Sequence, residues 1–263
     1  MKINKYLELF FLKIRQHLWI TVLILTNIIS IIFLLIVSLH YQVPQKILYK
    51  IGLKKIEPLS LTKSLTKYTY MNYRQMAIHS LANGNPGFEI VMLGDSITEG
   101  GDWYELLNKV DVANFGIGGD TASYLKYRLF DVYLVNPKKC FLMIGINDFA
   151  GNDTIDNVYK NYVSIIEDIR EHNIEIIIQS TLYLSETASK YSHIGNNWEN
   201  INIMVYNLNK SVNNYCNENG LLYLDINEIL SKNKMLEEKN TTDGVHLNKT
   251  GYEKWKDILI KYL

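Results

Sequence analysis

Between positions 89 and 226 the chain repeats one alternation: a short apolar run, then a longer stretch whose apolar residues recur every three or four positions. The runs lie at 89–93, 110–115, 140–144, 175–180 and 221–226, each the length of a buried strand and too short for a core helix. Between them, "TASYLKYRLFDVYLV", "NVYKNYVSIIEDIREH" and "NINIMVYNLNKSVNNYC" carry the period of amphipathic helices, and "GYEKWKDILIKYL" closes the chain in the same way. Parallel strands need long crossovers, usually helical, so the pattern predicts an α/β fold: a doubly wound, three-layer α/β/α arrangement around a parallel five-stranded sheet. Ligands of such sheets collect beyond the carboxyl ends of the strands, so the residues just past each run are where chemistry is to be sought.

Upstream the composition changes. Residues 1–68 carry ten Lys/Arg against two acidic residues, whereas 69–263 carry seventeen against twenty-five, and the zero net charge conceals the contrast. The acidic excess of the larger part gives no support to a nucleic-acid groove. Residues 19–39, "WITVLILTNIISIIFLLIVSL", contain no charge and are long enough to cross ~30 Å of hydrocarbon as a helix. A cleaved signal peptide has a shorter apolar region and a small-residue cleavage site, and "SLHYQVPQK" offers no A-x-A. The expectation is a single-pass membrane protein: a short cytoplasmic N-terminus (1–18), a transmembrane helix (19–39), a basic juxtamembrane linker (40–68) and the α/β domain (69–263). Lys13 and Arg15 lie nearer the span than Lys46 does, which places the large domain on the extracytoplasmic side. The linker's lysines suit an anionic headgroup surface, and a solvated spacer suits them equally.

Four strand ends carry residues with chemical potential. Ser96, in "EIVMLGDSITEGG", follows the first run and precedes a helix start, where a hydroxyl can face a cleft and helix N–H groups can face developing negative charge. Gly-Asp-Ser is equally good turn and N-cap chemistry, and Asp95 suits loop shaping. The second run ends in "NFGIGGD", where Gly116 can bring its N–H close to a substrate oxygen or simply make a turn. Its glycines do not give G-x-G-x-x-G, which speaks against a dinucleotide. The third ends in "MIGINDF", with Asn147 as a side-chain donor or a helix start. Late in the chain, "TTDGVHLNKTGYEKW" sets Asp243 three residues before His246, a spacing that lets a carboxylate orient an imidazole acting as base. The other histidines lack such an arrangement, no cluster has zinc-ligand spacing, and Cys140 and Cys216 read as buried thiols.

Taken together and in this order, Gly94-Asp95-Ser96, Asn114-x-Gly116, Gly145-x-Asn147-Asp148 and Asp243-x-x-His246 resemble the SGNH, or GDSL-type, serine hydrolases over roughly 88–260. The resemblance implies a flavodoxin-like fold with no metal or organic cofactor. It also implies Ser96 as nucleophile, His246 as base and then acid, Asp243 as its orienting partner, and an oxyanion hole of the Ser96 and Gly116 N–H groups with the Asn147 side chain. Members of that family cleave acetyl esters on sugars, lipid esters and thioesters, and some transfer acyl groups, so O-acyltransferase, lysophospholipase and thioesterase chemistries stand beside a carboxylic ester hydrolase. No long apolar loop suggests a lipid-tail tunnel, and Tyr183, Tyr191 and Trp198 lie in a loop suited to stacking on a sugar or to packing on itself. The preferred substrate is a small acyl ester, an O-acetylated glycan at or beyond the cell surface.

Overall fold

The computed structural model describes residues 58–84 and 87–263, together with Thr26, Asn27 and Ser30. The chain divides into two compact units, Met1–Ser64 and Leu65–Leu263. In the first, Ser30 Oγ donates to the Thr26 carbonyl at 2.9 Å. Among the described residues no helix is long and apolar enough to cross a membrane. The span expected at 19–39 lies outside the described residues apart from those three, as do 1–18 and 40–57.

The second unit is built on five parallel strands: β1 (Ile90–Gly94), β2 (Val112–Gly116), β3 (Lys139–Met143), β4 (Glu175–Gln179) and β5 (Leu222–Leu224). Their order across the sheet is β2-β1-β3-β4-β5, the flavodoxin-like order. All five residues of β1 are buried, and β3 and β4 are buried but for their first residues. Continuous apolar runs rather than alternating ones are what a sheet covered on both faces requires.

Ten helices surround or precede the sheet among the described residues: α1 (Pro58–Asn83), α2 (Ser96–Glu99), α3 (Trp103–Leu107), α4 (Ala122–Lys126), α5 (Phe130–Val135), α6 (Ile146–Ala150), α7 (Ile155–Glu171), α8 (Trp198–Glu218), α9 (Asn227–Leu230) and α10 (Lys249–Leu259). In α7 the buried Val158, Tyr162, Ile165, Ile166 and Ile169 fall on one face, as the periodicity predicts. Trp255 of α10 meets Trp103 edge-on at 4.7 Å between ring centroids.

One departure from the sequence reading has a physical cause. The single helix expected over 121–135 is broken into α4 and α5, because Arg128 turns inward, 7% exposed, to donate to Asp120 Oδ2 at 2.7 Å and to the Gly94 carbonyl at 2.9 Å. The boundary expected between 68 and 69 lies within α1, as does the division between the two compact units after Ser64. This helix shows little apolar periodicity. It is held to the domain by buried Ile78 and Ala82 and by polar contacts: Arg74 donates to the Asn114 and Gly116 carbonyls, and His79 Nδ1 lies 2.7 Å from Asp131 Oδ1.

At the carboxyl edge of the sheet Gly94 and Gly116 stand opposite one another in the β1–β2 register. A Cβ on Gly94 would lie 2.2 Å from Thr98 Oγ1 and 2.3 Å from the Met143 carbonyl, and one on Gly116 would lie 2.2 Å from the Glu99 nitrogen. Both glycines exist so that α2 can cross closely above the strand ends. Gly116→Ala is therefore expected to destabilise the fold by about 2–3 kcal/mol, read as a lowered urea midpoint at unchanged slope.

Candidate active site

Ser96 is the first residue of α2, and its position is set by the residue before it. Asp95 caps the helix, its Oδ1 accepting the Ile97 N–H at 2.9 Å. The far end of this one-turn helix is braced from outside: Tyr252 Oη donates to the Ile97 carbonyl at 2.7 Å and Trp103 Nε1 to the Thr98 carbonyl at 2.8 Å. Asp95 is 1% exposed. Burial pushes its carboxyl up to about 7 against the pull of the Ile97 N–H, with the carboxylates of Asp120 and Asp148 adding to the rise. It shapes the loop, as its sequence position suggested.

The segment 241–247 is a tight excursion closed by an antiparallel bridge between Thr241 and Leu247. Within it Asp243 Oδ1 accepts the N–H groups of Val245 (2.9 Å) and His246 (2.8 Å), which fixes the carboxylate and leaves Oδ2 facing the imidazole. His246 Nδ1 lies 2.7 Å from Asp243 Oδ2, and Nε2 lies 2.9 Å from Ser96 Oγ. With the proton on Nδ1 directed at the carboxylate, Nε2 is the nitrogen that accepts from the serine hydroxyl. Burial would raise the Asp243 carboxyl, but the hydrogen bonds from the His246 side chain and backbone, from Tyr191 and from Val245 outweigh it and bring it down to about 2. The Tyr191 hydroxyl donates to the same Oδ2 at 2.7 Å.

Asn147, near the start of α6, donates through Nδ2 to the Asp120 carbonyl at 2.9 Å and lines the same pocket as Ser96 and His246. Gly116 does not reach it. Its N–H donates to Asn114 Oδ1 at 2.9 Å, and its Cα lies in the close approach of β2 to α2. The glycines that border the pocket are Gly118, whose N–H is taken by Glu99 Oε2 at 2.7 Å, and Gly119, at φ +77°, three residues past Gly116 in the same "NFGIGGD". Among the described residues the Gly119 N–H has no acceptor. Of the three aromatics expected near the cleft, Tyr191 borders the pocket, whereas Tyr183 is 8% exposed in the core and Trp198 packs against the core as α8 begins. Two further pocket residues had no sequence signal: His193, beside Tyr191, and Tyr70, which comes from α1.

The pocket has a volume of about 330 Å³, with Ile146, Ala150, Ile194 and Val245 as its apolar lining. A larger surface groove of about 610 Å³, between α1 and α5, contains none of Ser96, Asn147, Asp243 and His246. The smaller pocket is the one equipped for acyl chemistry: a hydroxyl hydrogen-bonded to a base, a carboxylate behind the base, and N–H groups near the serine.

Such equipment defines a class, hydrolases that act on esters, and leaves the lineage open. The lineage comes from residues 92–254, which match the model of the GDSL-like Lipase/Acylhydrolase family; the chain belongs to that family. Several solved structures share its fold. A GDSL-like lipase from Bacteroides thetaiotaomicron VPI-5482 superposes with a TM-score of 0.60 at 22% identity, covering 73% of this chain and 97% of that one. A lipase/acylhydrolase from Enterococcus faecalis gives 0.52 at 19% identity, covering 66% and 94%. Among curated proteins, N-acylneuraminate cytidylyltransferase of Streptococcus agalactiae serotype III (strain NEM316) is 24% identical over 158 residues, 59% of this chain and 34% of that protein. The chain thus matches about a third of the length of that relative.

The buried Asp95 has a consequence for pH. Its unfolded carboxyl releases a proton near 3.8 and the folded one retains it to about 7, so the folded state loses stability as pH rises across that window. Asp95→Asn keeps an acceptor for the Ile97 N–H and removes the titration. Thermal melts from pH 4 to 8 are expected to show a flatter profile for this variant, with its greatest gain over the native chain at pH 8.

Proposed function

We propose that the chain is a membrane-anchored serine esterase that removes small acyl groups, O-acetyl above all, from cell-surface or exported glycans. The observation that carries the chemistry is the unbroken line Ser96 Oγ, His246 Nε2, His246 Nδ1, Asp243 Oδ2, with contacts of 2.9 and 2.7 Å. In this reading His246 takes the Ser96 proton as Oγ attacks the acyl carbon, then gives it to the departing alcohol. Water repeats the sequence in reverse on the acyl-enzyme, and Asp243 supports the imidazolium in both halves. The oxyanion is met by the N–H groups of Ser96 and Gly119 and by Asn147 Nδ2, whose second hydrogen is not needed by Asp120.

Support for a small acyl group comes from the size of the pocket and its short apolar wall. Support for a sugar acceptor comes from the tyrosines at its rim, Tyr70 and Tyr191, and from a curated relative whose name is that of an enzyme handling N-acylneuraminate. Support for the anchor is the uncharged apolar stretch 19–39, with the lysine distribution favouring an extracytoplasmic domain.

Hydrolysis of p-nitrophenyl acetate by the full-length protein should fall by about a thousandfold or more in Ser96→Ala. Equal rates in the two would overturn the reading. Across a series of p-nitrophenyl esters kcat/KM should decline from acetyl to octanoyl; a maximum at long chains would replace the glycan substrate with a lipid one.

A further inference from the structure

The oxyanion donor assigned to Gly119 sits at the weakest point of its loop. Asp120 N–H donates to the Ile117 carbonyl at 3.1 Å, closing a four-residue turn over 117–120, and Gly119 at φ +77° is its left-handed third residue. The Gly119 N–H belongs to the central peptide of that turn, the one between Gly118 and Gly119. Inverting this peptide converts one common turn type into another, and with glycine on both sides no side chain resists the change. Inversion would turn the N–H away from the serine and leave the Gly118 carbonyl facing an oxyanion. A donor built this way works only if its flanks are held.

They are held by Glu99 and by α1. Glu99 Oε2 accepts the Gly118 N–H at 2.7 Å, fixing the peptide that enters the turn. Its Oε1 is gripped from the other side by two residues of α1: the Tyr70 hydroxyl donates to it, and Arg74 Nε lies 3.2 Å away. Arg74 also donates to the Gly116 carbonyl at 3.1 Å and, through Nη2, to the Asn114 carbonyl at 2.9 Å, so the same guanidinium holds the chain just before the turn. The Tyr70 ring rests on the turn itself. A Cβ on Gly118 would lie 3.1 Å from Tyr70 Cε1, 3.2 Å from Glu99 Oε2 and 3.9 Å from Ser96 Cβ. The positive charge of Arg74 matters as well, since an uncompensated Glu99 carboxylate this close would oppose the developing oxyanion.

We infer that Glu99 is a positioning residue for the Gly119 donor, and that Tyr70 and Arg74 of α1 make this helix, which lies outside the residues shared with the family, an integral part of the active site. The inference rests on the serine-esterase reading above. Tyr70 also forms one wall of the pocket in which the acceptor would sit.

The test uses the full-length protein with p-nitrophenyl acetate and with phenylboronic acid, whose tetrahedral adduct on a serine places an oxygen in the oxyanion position. In Glu99→Ala, kcat should fall by about tenfold to a hundredfold with KM within about twofold, and phenylboronic acid should bind more weakly by a similar factor. Glu99→Gln, which retains an acceptor for the Gly118 N–H, should recover most of the loss. Tyr70→Phe, lacking only one hydroxyl on an exposed residue, should move kcat and boronate affinity together in the same direction by about threefold, and it decides the matter if Glu99→Ala does not fold. Native kcat and native boronate affinity in a folded Glu99→Ala, or in Tyr70→Phe where it alone can be assayed, would overturn the clamp. An inactive Ser96→Ala beside such a result would sink the clamp alone, whereas a fully active Ser96→Ala would sink the esterase reading beneath it.

Discussion

The buried ion pair between Arg128 and Asp120 organises the carboxyl edge of the sheet. Arg128 Nε meets Asp120 Oδ2 at 2.7 Å, with the two side chains 7% and 1% exposed, while Nη2 donates to the Gly94 carbonyl at the tip of β1. One guanidinium therefore joins the strand that leads to Ser96, the turn that carries Gly119 and the break between α4 and α5. Such a pair contributes little net stability, because both charges lose their hydration, but removing one partner leaves the other stranded at a cost of about 3–5 kcal/mol. Its value here is geometric: a strand tip, a turn and a helix break are held in one arrangement.

Around that pair lie two more buried carboxyls. Asp95 caps α2, and Asp148 accepts the Ala122 N–H through both oxygens, at 3.0 and 3.1 Å, anchoring the start of α4. Burial pushes both up to about 7, with Asp120 adding to the rise in each. Only Asp120 among the three has a guanidinium beside it, and a single positive charge cannot serve all of them. Asp243 is the contrast. It is less buried and accepts four hydrogen bonds, so its carboxyl falls to about 2 and stays anionic beside the His246 ring. The carboxyls that build the loops and the one that holds His246 are thus separated by environment rather than by residue type.

The rest of the site follows from topology. A parallel sheet sends every strand out at the same edge, so Ser96, the glycine turn and Asn147 converge although they lie tens of residues apart, and the 241–247 segment folds back over them. Helix α1 approaches that same edge from outside the family's shared region and closes one side of the pocket with Tyr70.

How much of this was legible depended on whether the cause was local. Strands that must be apolar throughout, a helix face with its period, an Asp-x-x-His turn and a serine just past a strand are decided by residues near one another in the chain, and the sequence alone determined them. It also singled out "NFGIGGD" but favoured Gly116, because which of its glycines border a cleft, and which N–H groups Asn114 and Glu99 have already taken, depends on where α2 crosses. Tyr183 and Trp198 looked as available as Tyr191 until the fold buried Tyr183 and left Trp198 off the pocket lining. The split of the helix after 121 waited on a guanidinium finding a carboxylate eight residues earlier and a carbonyl thirty-four earlier. The role of α1 left no trace in its own sequence: its hold on the domain is polar and long-range, and a hydrogen bond between Tyr70 and Glu99, or between Arg74 and a strand end forty residues on, has no periodicity to betray it. Contacts that create a pattern along the chain could be read from it; contacts made once, between distant residues, were decided only by the tertiary structure.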